Sequence, residues 1–188
     1  MMLKPTSTPP HLAFPGLIHD AIKDSQSITA DWQPTRQSLI AGVRVHEIKN
    51  VIKGNGLLTE IYRKAWDLDD LPIAQVFQVL LHPKSLSAWH AHADTTDRLF
   101  VNQGLIRIVL YDGRDESSTR GHINEFRLGL VRPALIVVPP QVWHGVQNFG
   151  PDTSALLNLV DRAYEYEDPD HWRISEDSPQ IPYHWPKL

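Results

Sequence analysis

The stretch Trp89-His-Ala-His-Ala-Asp-Thr-Thr-Asp-Arg-Leu-Phe-Val-Asn-Gln-Gly104 contains two closely spaced histidines followed by an acid and a glycine. His90 and His92 are two residues apart, and on a strand this spacing places both imidazoles on the same face of the sheet. Asp97 follows five residues after His92, and another histidine, His144, lies far downstream. We expect these side chains to converge on one cavity of a β-structure.

Composition excludes several classes of protein. The chain has 188 residues, about the size of one domain, and no cysteine, so neither disulfides nor thiolate metal ligands are available. Its net charge is −4 with acids and bases interspersed, which favours neither nucleic acid nor a membrane surface as a partner. The first 20 residues contain Pro5, Pro9 and Pro10 and no continuous apolar run, so we expect no signal peptide and a cytoplasmic protein.

Short β-rich segments separated by turn signals follow one another from Gly42 onward. One of them alternates strictly, with Ile106, Ile108 and Leu110 on one predicted face. At least eight strands with almost no helical periodicity indicate an all-β sandwich or barrel, and a jelly roll fits best. The segments that we predict as strands are 43–48, 57–62, 73–81, 97–102, 105–111, 122–128, 134–138 and 155–160, with a hairpin turn at Gly54-Asn-Gly56.

We predict two parts in the chain. Residues 1–40 form an N-terminal arm, in which Leu17–Lys23 has weak helical character, and residues 41–188 form the β-domain. The ending, Tyr164–Leu188, is rich in proline, aromatic residues and acids, and we expect it to pack along the outside or to close part of the barrel mouth.

His90, His92, Asp97 and His144 offer three nitrogens and one oxygen, a donor set that suits a divalent transition metal. The same histidines could line a ligand pocket, or hydrogen-bond carboxylates, without any metal. The residues alone leave both interpretations open.

These residues also resemble the paired motifs of the cupin family of small β-barrels. The first motif there is two alternating histidines, an acid and a glycine, and the second, here within Pro139–Asn148, is a proline, a histidine and an asparagine. Asp97 stands where most cupins carry glutamate, Gln141 replaces a usual glycine, and Pro133 occupies another glycine position. The resemblance implies a double-stranded β-helix with an inward-facing site.

From Gly42 to Pro186 the chain is similar to one branch of the cupins, the dTDP-4-dehydrorhamnose 3,5-epimerase family, which acts on nucleotide-linked sugars. The likeness rests on Leu58–Tyr62, Asp97–Val101, Pro139–Asn148 and the tail from Asp161 to Pro186. His90-Ala-His92 also resembles the paired histidines of the dTDP-sugar 3,4-ketoisomerases.

The resemblance assigns roles to particular residues. It implies that His90 is the catalytic base, that Arg98 stabilises an enolate, and that Asp177 orients the base. His92, His144 and Asn158 would contact the substrate. It also implies a homodimer and no cofactor.

Other positions depart from the family. The tyrosine that protonates the opposite face of the sugar falls at or next to Asn158, and an amide cannot act as that acid. Two arginines that grip the diphosphate fall at Ser87 and Asn55. A 3,4-ketoisomerisation needs protons moved on one face only, so the sequence favours a ketoisomerase-like or other single-face isomerase.

Two alternatives remain: a metal-dependent cupin that uses His90, His92, Asp97 and His144, and a catalytically inactive sugar-binding module. Trp89 and Trp143 each precede a key histidine. Strand alternation points their side chains to the opposite face, which favours a structural role over stacking on a sugar.

Overall fold

The computed structural model describes residues 14–32, 35 and 37–188 of the chain. The chain divides into two units, residues 1–37 and 38–188. The predicted boundary between the arm and the β-domain at residue 40 stays a prediction. Pro5, Pro9 and Pro10 lie outside the described residues.

The weak helical character predicted for Leu17–Lys23 is wrong. Backbone hydrogen bonds from Leu17 to Phe14 and from Ala21 to Ile18 form isolated turns there, and no helix occupies residues 14–32. None of the helices in the described ranges has the length and apolar character that a membrane crossing needs.

The described part of the second unit consists almost entirely of strands. A 3-10 turn at Lys64–Trp66 separates the third strand from the fourth. The strands are β1 Arg44–Glu47, β2 Val51–Lys53, β3 Gly56–Leu58, β4 Gln75–Leu81, β5 Leu86–Ala91, β6 Asp97–Gln103, β7 Leu105–Asp112, β8 Ile123–Gly129, β9 Ala134–Val138, β10 Val142–Asn148, β11 Ser154–Val160 and β12 Trp172–Arg173.

Two antiparallel five-stranded sheets face each other. Sheet I has the order β1-β9-β6-β11-β4, and sheet II has the order β12-β5-β10-β7-β8. The apolar face predicted for β7 is confirmed, because Ile106, Ile108 and Leu110 are fully buried in the core between the sheets. This arrangement confirms the predicted all-β jelly roll. The hairpin predicted at Gly54–Gly56 is also present, as the pair β2-β3.

The strand predicted over residues 57–62 ends at Leu58. Ile61 and Tyr62 lie in a segment that packs with Ile73 over Phe100 and Leu135, on the outer face of sheet I. These apolar side chains are therefore partly buried because they cover a sheet and do not join one.

Strand pairing brings the two sequence motifs together. β10 lies between β5 and β7 in sheet II, and the β10–β5 register places His144 opposite His90. Directly opposite residues in antiparallel strands point to the same face, so both imidazoles face the interior between the sheets.

The outer face of sheet II is covered by the end of the chain. Trp89 is fully buried there and contacts Tyr183 and Trp185, and Trp143 packs in the same cluster. The structural interpretation of both tryptophans is confirmed, as is the expectation that the tail packs along the outside.

Arg98 occupies the outer face of sheet I, one residue from Asp97 but on the opposite side. Its side chain is fully buried and forms a bidentate ion pair with Asp69, in which Nε donates to Oδ2 at 2.8 Å. It also donates to the carbonyls of Leu71 and Leu159. Burial opposes the charged form of Arg98, but the hydrogen bonds and the charge of Asp69 outweigh burial and raise its pKa.

Asp170 ties the segment before β12 to the loop after β5. Its carboxylate accepts hydrogen bonds from the backbone N–H groups of Ala93, Asp94 and Thr95, at 2.6, 3.0 and 3.0 Å, and from the Thr95 hydroxyl at 2.8 Å. Burial raises the pKa of the Asp170 carboxyl, but these hydrogen bonds outweigh burial and lower the pKa to about 2. Asp170 thereby differs from Glu165, Glu167 and Asp168 of the same segment, which are exposed.

Asn148, the asparagine of the second motif, joins the turn after β4 to the turn between β10 and β11. Its Nδ2 donates to the carbonyls of Leu81, His82 and Asp152 at 2.7 to 3.0 Å. Its Oδ1 accepts from the Gly150 N–H and the Ser154 hydroxyl. All its hydrogen-bonding capacity is used inside the protein, so its role is structural.

We expect Asn148→Ala to lower the free energy of unfolding by about 2–4 kcal/mol, because it leaves several buried polar groups without partners. Urea denaturation measures the loss. Asn102→Ala is the matched control, since the buried Oδ1 of Asn102 has no hydrogen-bond partner, and this variant should change stability by less than about 1 kcal/mol. Equal losses in the two variants would contradict the role given to Asn148.

The low pKa of Asp170 predicts a pH dependence of stability. A carboxyl whose pKa is lowered on folding stabilises the protein above its ordinary pKa of 3.8, and this stabilisation is lost as the pH falls toward about 2. Denaturation midpoints between pH 5 and pH 2 should therefore fall more steeply for the wild type than for Asp170→Asn. Asp168→Asn, at an exposed position of the same segment, should keep the wild-type slope.

Candidate functional site

A cavity of about 820 Å³ opens between the two sheets. Inward-facing residues of β4, β5, β6, β10 and β11 line it, and the segment from Arg162 to Arg173 forms one of its sides. Its volume is within the range of small-molecule sites. The predicted contribution of the tail to the barrel mouth is present in this segment.

Four imidazoles gather at one end of the cavity. The ring centroids of His90 and His144 are 4.1 Å apart, and those of His92 and His144 are 5.5 Å apart. His171 lies 5.2 Å from His90 and 5.0 Å from His92. The predicted convergence of His90, His92 and His144 is therefore confirmed, and a fourth histidine joins them.

Backbone carbonyls determine how two of these rings are oriented. The Nδ1 of His144 lies 3.0 Å from the carbonyl of Val142, and the Nδ1 of His92 contacts the carbonyl of Asp170. A carbonyl can only accept a hydrogen bond, so each Nδ1 carries the proton and each Nε2 is left to face the cavity. Burial lowers the pKa of His144, although the charge of Asp97 acts in the opposite direction.

Both Nε2 atoms face the carboxylate of Asp97. The distances to its Oδ2 are 3.4 Å from His92 and 3.3 Å from His144. Two nitrogen lone pairs and a carboxylate oxygen repel one another at this separation unless a proton or a cation lies among them. The cluster is therefore suited to hold either a shared proton or a metal ion.

The predicted metal ligands come together only in part. The ligand atoms of His92, Asp97 and His144 lie within 4.8 Å of one another, and His90 is outside this group. Two neutral imidazoles whose second nitrogens are bonded to carbonyls, plus a carboxylate, fit a divalent transition metal by donor type.

His90 differs from the other histidines in its surroundings. Its Nδ1 is buried and has no hydrogen-bond partner. Burial, followed by the neighbouring His144, His171 and His92, holds the pKa of His90 far below its usual range. The ring of His90 is therefore neutral in the free protein.

Asn158 and Asp97 form a pair on the wall of the cavity. The Asn158 Nδ2 donates to the Asp97 Oδ1 at 2.6 Å, and the Asn158 Oδ1 accepts from the backbone N–H of Arg98. The Asn158 amide orients Asp97 and, as expected from its chemistry, offers no acidic proton.

Two predicted catalytic residues are not in the cavity. Arg98 is buried on the other face of β6 with Asp69, so its charge does not face the histidines. Asp177 is exposed and accepts a hydrogen bond from the Ser175 hydroxyl. The roles that the resemblance implied, enolate stabilisation by Arg98 and orientation of the base by Asp177, are therefore corrected. Of the two positions where diphosphate arginines were expected, Ser87 lines the cavity and Asn55 lies in the β2-β3 turn.

His171 was missed by the sequence analysis. Its Nε2 is buried without a partner, and burial, together with the neighbouring charges, lowers its pKa to about 4. No periodic pattern surrounds it, and the only signal was its place in a polar segment within the family-like tail. The same segment brings Arg162 and Arg173 to the cavity.

Comparisons with known proteins agree with this arrangement. The family model described as "FdtA: WxcM-like, C-terminal" matches residues 41–173. The probable low-salt glycan biosynthesis epimerase Agl13 of Haloferax volcanii is 32% identical over 147 residues, which cover 78% of this chain and 94% of that protein. The spore coat polysaccharide biosynthesis protein SpsL of Bacillus subtilis is 27% identical over 147 residues, covering 78% of this chain and 97% of SpsL.

Among solved structures, a dTDP sugar isomerase from Desulfovibrio desulfuricans G20 superposes with a TM-score of 0.73 at 26% identity, covering 79% of this chain and 95% of that one. The family match spans both histidine motifs and reaches β12. On this match, and on the 32% identity to Agl13, the chain belongs to the FdtA family, WxcM-like, C-terminal.

Proposed function

We propose that this protein is an isomerase of a nucleotide-linked 4-keto sugar, in which His90 removes the proton next to the ketone. The observation that carries the proposal is the position of His90, an imidazole that lines a cavity of about 820 Å³ beside His144 and His171. The names of two similar proteins, a glycan biosynthesis epimerase and a dTDP sugar isomerase, support this class of reaction.

The clustering of the imidazoles favours proton transfer on one face of the sugar. His90, His92, His144 and His171 lie at one end of the cavity, and Asn158 stands where the resemblance expects an acid tyrosine. Removal of the C3 proton of a 4-keto sugar gives an enediolate between C3 and C4. Return of a proton to C4, with a proton shift between the two oxygens, moves the carbonyl from C4 to C3. The reaction is an internal redox exchange and needs no external oxidant or reductant.

The histidine and carboxylate cluster can carry out the proton shift between the two sugar oxygens. The Nε2 atoms of His92 and His144 and the Oδ2 of Asp97 are close enough to share one proton. Such a group can give a proton to one sugar oxygen and take one from the other as the carbonyl moves. His90 then acts on carbon, and the cluster acts on oxygen.

A metal-dependent reaction is a second candidate, because the ligand atoms of His92, Asp97 and His144 lie within 4.8 Å of one another. A metal held there would polarise a carbonyl oxygen as a Lewis acid. The leading proposal needs no metal. A catalytically inactive sugar-binding module is the remaining alternative, and the homodimer and the cytoplasmic location expected from the sequence stay predictions.

Incubation with dTDP-4-keto-6-deoxyglucose in deuterium oxide tests the proton transfer directly. We expect NMR to show deuterium entering at the carbon next to the ketone on the C3 side and not at C5. His90→Asn should slow this exchange by about 10²–10⁴-fold, because it removes a positioned base. His122→Asn is the control, since His122 lies outside the cavity lining.

Exchange at C5 as well would contradict single-face chemistry and would point to Tyr164, a phenol that lines the cavity. Absence of exchange in the wild type, with the sugar nucleotide still bound, would favour the inactive binding module.

Metal removal separates the two enzyme candidates. We expect the exchange rate of the wild type to be unchanged after dialysis against a chelator, because His90 removes the proton without Lewis-acid help. Elemental analysis before and after dialysis checks the metal content. Two results together would favour the metal-dependent reaction over the leading proposal. The wild type would contain close to one metal ion per chain, which His92→Gln loses, and one added divalent ion would restore the activity of the chelated protein.

A further inference from the structure

The proposed reaction creates negative charge on a sugar oxygen, and the residue expected to stabilise it is elsewhere. Arg98 was implied by the resemblance, but its guanidinium is neutralised by Asp69 on the outer face of sheet I. A fixed positive charge for the cavity must come from another position. Arg162 and Arg173 line the cavity.

Strand pairing directs Arg173 toward the reacting centre. β12 pairs with β5 at the edge of sheet II, and the register places Arg173 opposite His90. Opposite residues in an antiparallel pair point to the same face of the sheet, so Arg173 lies on the side of His90 that faces the cavity. Asp170 holds the preceding turn of backbone against residues 93–95, and this contact maintains the pairing.

The same register brings the positive charge of Arg173 to the wall of the cavity that His90 also lines. An anion formed beside His90 would be attracted by a cation at this position.

Arg173 has no carboxylate partner among the described residues, unlike three other arginines of the barrel. Arg98, Arg107 and Arg114 form ion pairs with Asp69, Glu125 and Asp112. No ion pair joins Arg173 to any acid within the part of the chain that the structure describes. Its full charge is therefore available to a ligand.

We propose that Arg173 is a catalytic residue that stabilises the oxyanion of the enediolate formed when His90 removes the sugar proton. This inference rests on the proposed function and assigns to Arg173 the electrostatic role that the resemblance implied for Arg98. A guanidinium can donate two parallel hydrogen bonds to neighbouring oxygens.

The test compares kcat with KM. An interaction made mainly in the transition state lowers kcat when it is removed, whereas one made equally with the bound substrate raises KM. We expect Arg173→Gln to lower kcat for isomerisation, and the rate of deuterium exchange, by about 10²–10³-fold. The KM of Arg173→Gln should stay within about threefold of the wild-type value. Arg173→Lys, which keeps the charge, should have a kcat at least about tenfold higher than that of Arg173→Gln.

Arg120→Gln is the matched control, because Arg120 pairs with Asp115 on an exposed loop outside the cavity. Thermal melting of each variant checks that β12 still pairs. If Arg173→Gln does not fold, Arg173→Met keeps most of the side-chain length without the charge. Rescue of Arg173→Ala by added guanidinium ion provides a second measure of the same role.

Two results would overturn the inference. Wild-type kcat in Arg173→Gln would show that its charge is not used, and a rise in KM alone would show that Arg173 grips the diphosphate instead. Both results leave the proposed function standing, since they require an active wild type. A wild type that exchanges no proton at all would instead count against the proposed function itself.

Discussion

The pairing of β10 with β5 is the contact on which the site depends. These strands carry motifs separated by about fifty residues, and their register sets His144 opposite His90 on the inner face of sheet II. A shift of this register by one residue would turn His144 outward into the aromatic layer formed with Trp89. Apolar residues on both faces of sheet II oppose such a shift, because each has a buried place on its own side.

Side chains along each strand point alternately into the cavity and toward the outer face of the sheet. On β6, Asp97 faces the cavity and Arg98 faces the outer layer, where Asp69 neutralises it. On β5, His90 faces the cavity and Trp89 is packed against the tail. Burying Arg98 is tolerable because its donors are paired with a carboxylate and with backbone carbonyls. A residue next to a cavity-facing group in sequence is thus held on the other side of the sheet.

Hydrogen bonds to backbone carbonyls fix the orientation of two histidine rings in the cavity. Val142 and Asp170 accept from the Nδ1 atoms of His144 and His92, which leaves both Nε2 atoms directed at Asp97. Asp170 contributes twice, since its carboxylate also binds the loop that follows His92. The segment that closes the cavity therefore also sets the orientation of a histidine within it.

The sequence by itself determined the strands and the faces of their residues, because period-two alternation and turn residues act locally. It also identified three of the four clustered histidines, since His90 and His92 share a strand face and His144 occupies a matching motif. Tertiary structure alone decided the partner of Arg98 and the places of Asp170, His171 and Arg173. Asp170 meets its partners across more than seventy residues of sequence, and β12 is only two residues long. No local periodicity can record such contacts, because they depend on where a returning segment meets the edge of a sheet that is already formed.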